Sequence, residues 1–364
     1  MAKYAWLASS IYQANPLRLF LQALPICHKH DYDAAEAFRL GLFDLHLKPD
    51  ELTRYCSRKQ LTKLQRSLNP PALVPLIRNK AMFYRFSRAH QVPVPELYAL
   101  FFHAAPGWTY KNPVVTQSGA WEAFFEKEAP AEFAVKPIEA SFGSGFNIYR
   151  RQDDRLVDPL GASYTAKEIR RHLCASHGRS GFIIQERLRN HCELLRLTGA
   201  NGLQTARLTT LLDETGACRI IHAHFKLIAG DNLIDNFDHG TSGNLQARID
   251  LAHGHLYNPV TASPGVPGIQ PVEKHPDTGH TIEGFELPCW SEACQLVKQI
   301  APLFLPLRTI GWDVALTPDG PVIVEGNAWW NPPNQHGNLE TIVAQLSNAS
   351  RYGAPACETQ PLSS

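Results

Sequence analysis

Two apolar segments joined by a short turn, near the carboxyl end of the chain, constrain the fold more than any other part of the sequence. Gly311 to Leu316 contains a single acidic residue, Asp313, and Pro321 to Asn327 ends in Glu-Gly-Asn. The connection between them, Thr317-Pro318-Asp319-Gly320, has the residue types of a tight hairpin turn. The pattern therefore predicts two neighbouring strands that hold Asp313 and Glu325 close together.

The polar residues of this hairpin are suited to binding a metal ion. Asp313, Glu325 and Asn327 offer two carboxylates and an amide oxygen. Hard cations such as Mg²⁺ prefer such oxygen ligands and leave positions open for phosphate and water. The alternative is an ordinary hairpin whose acidic side chains face solvent, and the hairpin by itself does not decide between the two.

A second set of residues upstream is suited to binding phosphate. Phe133 to Pro137 predicts a buried strand that delivers Lys136, and the glycine-containing loop Ser141 to Phe146 follows it. Glycines allow backbone N–H groups to approach an anion, and a lysine adds a point charge. The loop has neither the spacing of a P-loop nor that of a dinucleotide-binding fingerprint. Further on, Gly181 to Arg187 predicts a strand, either a plain edge strand or one whose polar end hydrogen-bonds an adenine ring.

In this order, the segments resemble the ATP-grasp superfamily, and within it the sugar-transfer associated ATP-grasp proteins, which are relatives of the α-L-glutamate ligases. The similarity runs from about Lys80 to about Asn338. It also includes the segments Asn79-Lys80, Val92 to Pro95, Thr205 to Thr210, Asp235 to Phe237 and His275 to Gly279. The resemblance implies an α+β fold, in which two α+β lobes enclose a nucleotide and a mostly helical segment precedes them.

The resemblance also implies which residues bind ATP and Mg²⁺, or Mn²⁺ in its place. The residues that match phosphate-binding positions are the lysines Lys80 and Lys136 and the loop residues Ser141, Gly143, Ser144 and Gly145. Those that match the adenine and ribose positions are Gln185, Glu186 and Glu193. Asp313, Glu325 and Asn327 match the metal ligands.

Such a site implies an ATP-dependent ligase that joins a carboxylate to an amine. The carboxylate, from an amino acid or a peptide, attacks the γ-phosphoryl group of ATP, and positive charges neutralise the anions that meet there. An amine then displaces phosphate from the acyl phosphate, which leaves an amide, ADP and phosphate. The alternative is an ATP-grasp phosphotransferase, or a non-catalytic nucleotide-binding partner of a biosynthetic assembly.

One departure from the family pattern keeps that alternative open. Many ATP-grasp ligases have an arginine two residues before the metal-binding aspartate, where this chain has Gly311. Arg207 and Lys226, both in predicted strands, are the best candidates to supply the missing charge, unless they are salt-bridged residues of the sheet. In the polar loop from 230 to 245, Asn236 and His239 are predicted to contact the acceptor substrate.

The histidines offer a competing hypothesis, a zinc hydrolase. His222 and His224 would share one face of a strand, and His253, His255, His275 and His280 follow within sixty residues. These pairs match no zinc motif such as HExxH, so satisfied or surface histidines are the favoured interpretation.

Composition favours a cytoplasmic enzyme. The chain has 364 residues, 44% of them hydrophobic, which is enough for two or three domains with their own cores. Its 35 basic and 34 acidic residues give no argument for a nucleic-acid partner. No apolar run reaches the roughly 18 residues of a membrane span, so no membrane partner is predicted either. The eight cysteines lack CxxC spacing, as is typical of reduced thiols in the cytosol.

The pattern of apolar residues divides the chain into four parts. Residues 1–75 form a mostly helical segment that ends near Pro70-Pro71, and residues 76–187 form the smaller ATP-binding lobe. Residues 188–350 form the lobe with the metal site, and 351–364 a flexible tail. The first segment is a candidate for capping the active site, for docking a carrier or for forming a homodimer, and nothing in the sequence chooses among these roles.

Overall fold

Two seven-stranded antiparallel sheets, with helices before and around them, make up the computed structural model. The residues that the structure describes are 1–48, 51–139, 145–176, 180–237, 242–262, 268–333 and 339–351. No helix in these ranges is both long and apolar enough to cross a bilayer.

Eleven helices lie in the described ranges, and six of them precede the first strand. Those six are α1 (Ala2–Ile11), α2 (Pro16–Lys29), α3 (Ala34–Arg39), α4 (Arg58–Leu68), α5 (Pro75–Arg78) and α6 (Lys80–Ala89). The others are α7 (Ser118–Ala123), which a π-helical turn extends to Glu128, α8 (Ala166–Ala175), α9 (Cys192–Thr198), α10 (Trp290–Ile300) and α11 (Leu339–Arg351).

The smaller lobe is built on the first sheet, whose strand order is β2-β1-β7-β3-β4-β5-β6. Its strands are β1 (Leu97–Phe102), β2 (Trp108–Thr109), β3 (Glu132–Pro137), β4 (Asn147–Gln152), β5 (Arg155–Val157), β6 (Ser163–Tyr164) and β7 (Gly181–Gln185). Phe133 and Val135 on β3 pack with residues of α7 and α8 in one core. Because neighbouring residues of a strand point to opposite faces, Lys136 lies on the other face.

The second sheet carries the hairpin and has the order β12-β11-β10-β9-β8-β13-β14. Its strands are β8 (Thr205–Leu212), β9 (Cys218–Leu227), β10 (Leu245–Ile249), β11 (Leu256–Thr261), β12 (Gln270–Pro271), β13 (Thr309–Thr317) and β14 (Gly320–Asn327). Every residue of β13 is buried, and Val297 and Ile300 of α10 belong to the same core as Trp312.

The predicted hairpin is confirmed. Thr317 pairs with Gly320 across the turn, and Gly320 has a φ of +110°, which a side chain would strain. Asp313 lies directly opposite Glu325. The hydroxyl of Thr317 also donates a hydrogen bond to the carbonyl of Gly320, at 2.7 Å. The strands therefore hold the two acidic residues side by side, as the sequence predicts.

One predicted helix is wrong in its bounds. The apolar spacing from Glu51 to Leu68 predicts a continuous helix, but a 3₁₀ turn over Glu51–Arg54 is separated from α4 by three residues. Ser57 explains the restart, because its hydroxyl accepts a hydrogen bond from the N–H of Gln60 and its own N–H bonds back to that side chain. Such a capping box favours a new helix at that point.

Helix α4 contacts the second sheet and α11. Its apolar residues Leu61 and Leu68 share a core with Leu346 of α11. After its last turn, the buried Asn69 donates hydrogen bonds to the carbonyls of Thr309 (2.8 Å) and Ala328 (3.0 Å). The end of the predicted first segment is thus tied to β13 and to the residue that follows β14. The division of the chain at 75/76 and at 187/188 stays a prediction.

Candidate active site

A cavity of about 680 Å³ brings together residues of both sheets and of helices α4, α5 and α6. On one side β3 contributes Lys136 and Pro137, and on the other side strands β8, β13 and β14 contribute the polar residues of the second sheet. The residues predicted for the site that line it are Lys80, Lys136, Arg207, Asn236, Asp313, Glu325 and Asn327.

Arg207 and Asp313 form an ion pair with two hydrogen bonds in this cavity. They lie directly opposite each other on β8 and β13. The Nε and Nη2 atoms of Arg207 donate to the two carboxylate oxygens of Asp313, at 2.6 and 2.8 Å. Lys226 adds its Nζ at 2.9 Å from Oδ1 of Asp313. Burial alone would raise the pKa of Asp313, but the two cations lower it well below its usual range.

Asp235 joins the same network and has no assigned role in the sequence-based prediction. The hydroxyl of Thr205 donates to its Oδ2 at 2.5 Å, and Nζ of Lys226 lies 3.5 Å from its Oδ1. Burial raises the pKa of Asp235, against the effect of Lys226. Its neighbour Asn236 also lines the cavity. The segment Asp235 to Phe237 is one of those that resemble the ATP-grasp superfamily, and it is the sequence feature that could have marked Asp235 as a site residue.

Lys80, Glu325 and Asn327 form a second group of interacting side chains in the cavity. Nζ of Lys80 lies 3.6 Å from Oε2 of Glu325, and the side-chain amide of Asn327 donates to Oε1 at 3.3 Å. The Glu325 side chain is 33% exposed, compared with 7% for Asp313, so its carboxylate is the more accessible of the two.

Lys136 lies within reach of these charges. Its Nζ is 5.6 Å from the ring centre of Phe146. Burial is the main reason that the pKa of Lys136 is lowered to about 8; Glu325 opposes this shift and Lys80 adds to it. A lysine with such a pKa is largely protonated at neutral pH, and an anion at the site would stabilise its charge.

The residues present fit a hard cation at Glu325 and Asn327, while Asp313 already has two cationic partners. One oxygen ligand each from Asp313, Glu325 and Asn327 would suit Mg²⁺. Asp313 would have to share its carboxylate between the metal ion, Arg207 and Lys226. The three-residue metal site therefore stays a prediction.

The zinc alternative has no support in the described part of the chain. No group of three or more His, Cys, Asp or Glu side chains there could hold a metal ion. Nε2 of His222 lies 3.1 Å from Nδ1 of His224, so the two rings contact each other. Burial lowers the pKa of His222 to about 3, which keeps this ring neutral.

Gly311 leaves room for the side chain of Arg207. A Cβ atom at position 311 would lie 2.9 Å from Cβ of Trp330 and 3.2 Å from Cδ of Arg207. The space beside residue 311 is thus filled by Trp330 and by an arginine from the neighbouring strand.

The residues predicted to bind adenine and ribose lie outside this cavity. The backbone N–H of Glu186 donates to the carbonyl of Glu96 at 2.8 Å, and its carboxylate accepts from the N–H of Glu96 at 3.1 Å. Gln185 is buried at the end of β7. Glu193 pairs with Arg196 and lines a second cavity of about 590 Å³. Their roles stay predictions.

Ser141, Gly143, Ser144 and His239 lie outside the described residues. Gly145 is described, and it is exposed with a φ of +78°.

Comparisons with known proteins agree with the predicted resemblance. A model of the family described as sugar-transfer associated ATP-grasp matches residues 59–350. No curated protein matches the chain.

Several solved structures are similar to the chain at low sequence identity. A biotin carboxylase from Campylobacter jejuni is 8% identical over 78% of this chain and 48% of its own, with a TM-score of 0.45. D-alanyl-alanine synthetase A from Vibrio cholerae is 13% identical over 77% and 67%, with a TM-score of 0.40. A RimK domain protein ATP-grasp from Sphaerobacter thermophilus is 13% identical over 77% and 69%, with a TM-score of 0.36. The chain thus spans about half of the biotin carboxylase.

Proposed function

Because the chain belongs to the sugar-transfer associated ATP-grasp family, we propose that it is an ATP- and Mg²⁺-dependent ligase that joins a carboxylate to an amine. The reaction would pass through an acyl phosphate and release ADP and phosphate. The observation that carries the proposal is the single cavity lined by Lys80, Lys136, Glu325 and Asn327, where cations and oxygen ligands meet.

The two lysines are suited to the phosphates of ATP. Lys80 belongs to α6 and Lys136 ends an apolar strand, so rigid elements position both ammonium groups. Preorganised charges of this kind stabilise the transferring phosphoryl group without reorganisation during the reaction. Ser141, Gly143, Ser144 and Gly145 are proposed to close over the phosphates.

Glu325 and Asn327, together with Asp313, would hold Mg²⁺, and Mn²⁺ could replace it. The metal ion would supply charge neutralisation at the phosphate oxygens when bound. Lys226 contacts both Asp313 and Asp235 and therefore fixes the position of the two carboxylates.

We assign to Arg207 the positive charge that Gly311 does not provide. Its Nε and Nη2 atoms bind Asp313, and its Nη1 group has no hydrogen-bond partner among the described residues. The side chain lines the cavity, so this group is available to an oxygen that gains negative charge as the amine attacks. Arg207 would thus act from β8 where other ligases act from the position of Gly311.

The substrates would be a small carboxylate, such as an amino acid or a peptide, and an amine acceptor. Asn236 lines the cavity and is proposed to contact the acceptor, together with His239. A cytoplasmic location and a homodimer belong to the same proposal, and neither affects the chemistry.

A second function is favoured by the state of Asp313. Since Arg207 and Lys226 already neutralise its carboxylate, the metal site has fewer free ligands than a full set. A phosphotransferase or a nucleotide-binding partner without ligase activity would accord with that arrangement.

Release of ADP and phosphate from Mg-ATP decides between the functions. Amino acids and small carboxylic acids are added singly and in pairs to the wild type, to Glu325→Gln and to the exposed control Glu340→Gln. We expect substrate-dependent ADP release that Glu325→Gln lowers about 100-fold or more and that the control retains. Mass spectrometry identifies the amide. Nucleotide binding without stimulated turnover would favour the non-catalytic function, and ADP release with a phosphorylated product would favour the phosphotransferase.

A further inference from the structure

Two arginines on the helices that precede the first strand reach the active-site cavity. Arg58 is the first residue of α4 and Arg78 is the last residue of α5, and both line the cavity that contains Lys136 and Glu325. The proposed nucleotide chemistry gives neither of them a role.

Helix α5 lies directly against the strand that carries the proposed metal ligands. A Cβ atom on Gly326 would lie 2.3 Å from Cδ1 of Ile77, so the Ile77 side chain packs directly on the backbone of Gly326. Ile77 precedes Arg78, and Gly326 lies between Glu325 and Asn327. This contact holds α5 against β14, and the exposed Arg78 at the end of α5 lines the cavity.

Helix α4 is held near the same strand. The side-chain amide of Gln65 donates to the carbonyl of Trp330 at 2.8 Å, and both residues are buried. Trp330 and the half-buried Trp329 also line the cavity. The arginines therefore belong to a wall that combines positive charge with aromatic surface.

The carboxylates of the cavity already have partners, and those partners do not include these two arginines. Asp313 binds Arg207, and Asp235 contacts Lys226. The remaining two are equally engaged, since Glu325 contacts Lys80 and Glu139 accepts a hydrogen bond from the side chain of Asn79 at 3.1 Å. Within the described part of the chain, no carboxylate lies within ion-pair distance of Arg58 or Arg78.

Among the described residues the two guanidinium groups form no ion pair, although Glu36 accepts a hydrogen bond from the backbone N–H of Arg58 at 2.8 Å and lies near its charge. Two such groups that line one cavity are suited to an anion. The planar fork of arginine matches the geometry of a carboxylate or a phosphate group, and charge-assisted hydrogen bonds to it are strong. We propose that Arg58 and Arg78 bind an anionic group of the acceptor substrate, a carboxylate or a phosphate, at a subsite separate from the lysines that bind ATP. The acceptor would then be a small acid, and this inference rests on the proposed ligase function.

Calorimetric titration of the full chain tests the subsite without knowledge of the natural acceptor. The protein is first saturated with Mg-ADP, so that the nucleotide lysines are occupied. Inorganic phosphate and malonate, a dicarboxylate, are then titrated separately at constant ionic strength. The variants are Arg58→Gln, Arg78→Gln and the double variant, and Arg66→Gln on the exposed face of α4 is the matched control.

We expect at least one anion to bind the wild type and to bind the double variant about tenfold or more weakly, since two charge-assisted contacts are lost. Each single variant should weaken binding less, and the control should leave it unchanged. Binding of phosphate alone would identify the acceptor group as a phosphate, and binding of malonate alone as a carboxylate.

Three results would overturn the subsite. One is that neither anion binds the wild type, and another is that the double variant binds both anions as tightly as the wild type does. The third is that binding survives in the double variant but is lost in Lys136→Gln, which would place the anion on the nucleotide lysines. Failure of the wild type to bind Mg-ADP would instead count against the proposed function. The titration of the nucleotide-free chain would then still decide the subsite.

Discussion

Arg207 passes beside Gly311 so closely that a Cβ atom at position 311 would lie 3.2 Å from Cδ of Arg207. The register of β8 and β13 explains the contact, since Arg207 lies opposite Asp313, two residues along the strand from Gly311. Residues two apart on a strand share one face, so the side chain that pairs with Asp313 also covers Gly311. The absence of a side chain at 311 and the presence of an arginine at 207 are therefore coupled.

Gly311→Ala tests that coupling. The added Cβ would lie 2.9 Å from Cβ of Trp330, so one of the neighbours must move. We expect a loss of about 1–3 kcal/mol in the free energy of unfolding, as is usual when a packed core is overfilled. We also expect less substrate-dependent ADP release, because Arg207 is displaced. Urea denaturation measures the first effect and a coupled assay the second.

Gly119→Ala is the matched control for that substitution. Gly119 lies in α7 with open space around its Cβ position, so the variant should be as stable as the wild type or more stable by about 0.4–1 kcal/mol. If Gly311→Ala were as stable and as active as this control, the space beside residue 311 would not be limiting.

Arg207→Met should destabilise the protein more than any change on the surface of the sheet. It leaves the buried carboxylate of Asp313 with Lys226 alone, and breaking a buried ion pair costs roughly 3 kcal/mol or more. Arg219→Met, an exposed arginine on β9, should stay within about 0.5 kcal/mol of the wild type. Denaturant unfolding of the two variants gives the comparison, and equal stabilities would contradict the proposed importance of the pair.

The loss of stability in Arg207→Met should depend on pH. The pKa of Asp313 is lowered in the folded protein from an ordinary value of 3.8. A carboxylate with a lowered pKa contributes stability that is present above its unfolded pKa and is lost as the pH falls. The difference in stability between the wild type and Arg207→Met should therefore be constant from about pH 5 to 7 and shrink below about pH 4. A difference that grew on acidification would refute this explanation.

The parts of the site that the sequence predicts are those fixed by local structure. The hairpin of β13 and β14 follows from a turn and two adjacent apolar segments, so the pairing of Asp313 with Glu325 is predictable. Lys136 follows from the apolar strand that precedes it. The family match supplies the fold, because the order of strands in each sheet depends on contacts far apart in the chain.

The contacts that the sequence does not predict join distant segments. Asn69 and Thr309 are separated by 240 residues, and no pattern marks them as partners. The approach of Arg58 to the cavity depends on the packing of α4 against α11, and the role of Arg207 depends on which strand lies beside β13. The segment of Asp235 matches the family, but its contact with Lys226 is not predictable for a similar reason, since only the folded sheet brings the two side chains together.

Asn69→Ala tests whether the first helical segment supports the hairpin. Asn69 is fully buried, donates to Thr309 and Ala328, and accepts from the N–H of Thr309 at 3.1 Å. Its removal leaves backbone groups without partners, and we expect a loss of about 2–4 kcal/mol in unfolding free energy. Asn348→Ala, at an exposed position of α11, should change stability by less than about 0.5 kcal/mol. A loss no larger than that of the control would show that the segment is not anchored through Asn69.

Lys136 should give nucleotide binding a dependence on alkaline pH. Burial lowers its pKa from 10.5 to about 8, so the ammonium loses its proton within an accessible range. Binding to phosphates requires the charged form, and the affinity for Mg-ADP should therefore fall above about pH 8, by up to about tenfold per pH unit.

Lys136 should also make the stability of the nucleotide-free protein depend on pH, but here stability should rise where the nucleotide affinity falls. Between the folded pKa of about 8 and the unfolded value of 10.5, the unfolded chain binds more protons at this lysine. Its contribution to stability therefore rises with pH across that window. Lys136→Gln should remove both effects, and Lys298→Gln, at an exposed position of α10, should remove neither. Fluorescence titrations with a labelled ADP and denaturant unfolding at pH 7 to 10 measure the two quantities. If the affinity of Lys136→Gln for ADP fell above pH 8 as steeply as that of the wild type, another group would be responsible. Lys136 would then not be the lysine that contacts the phosphates.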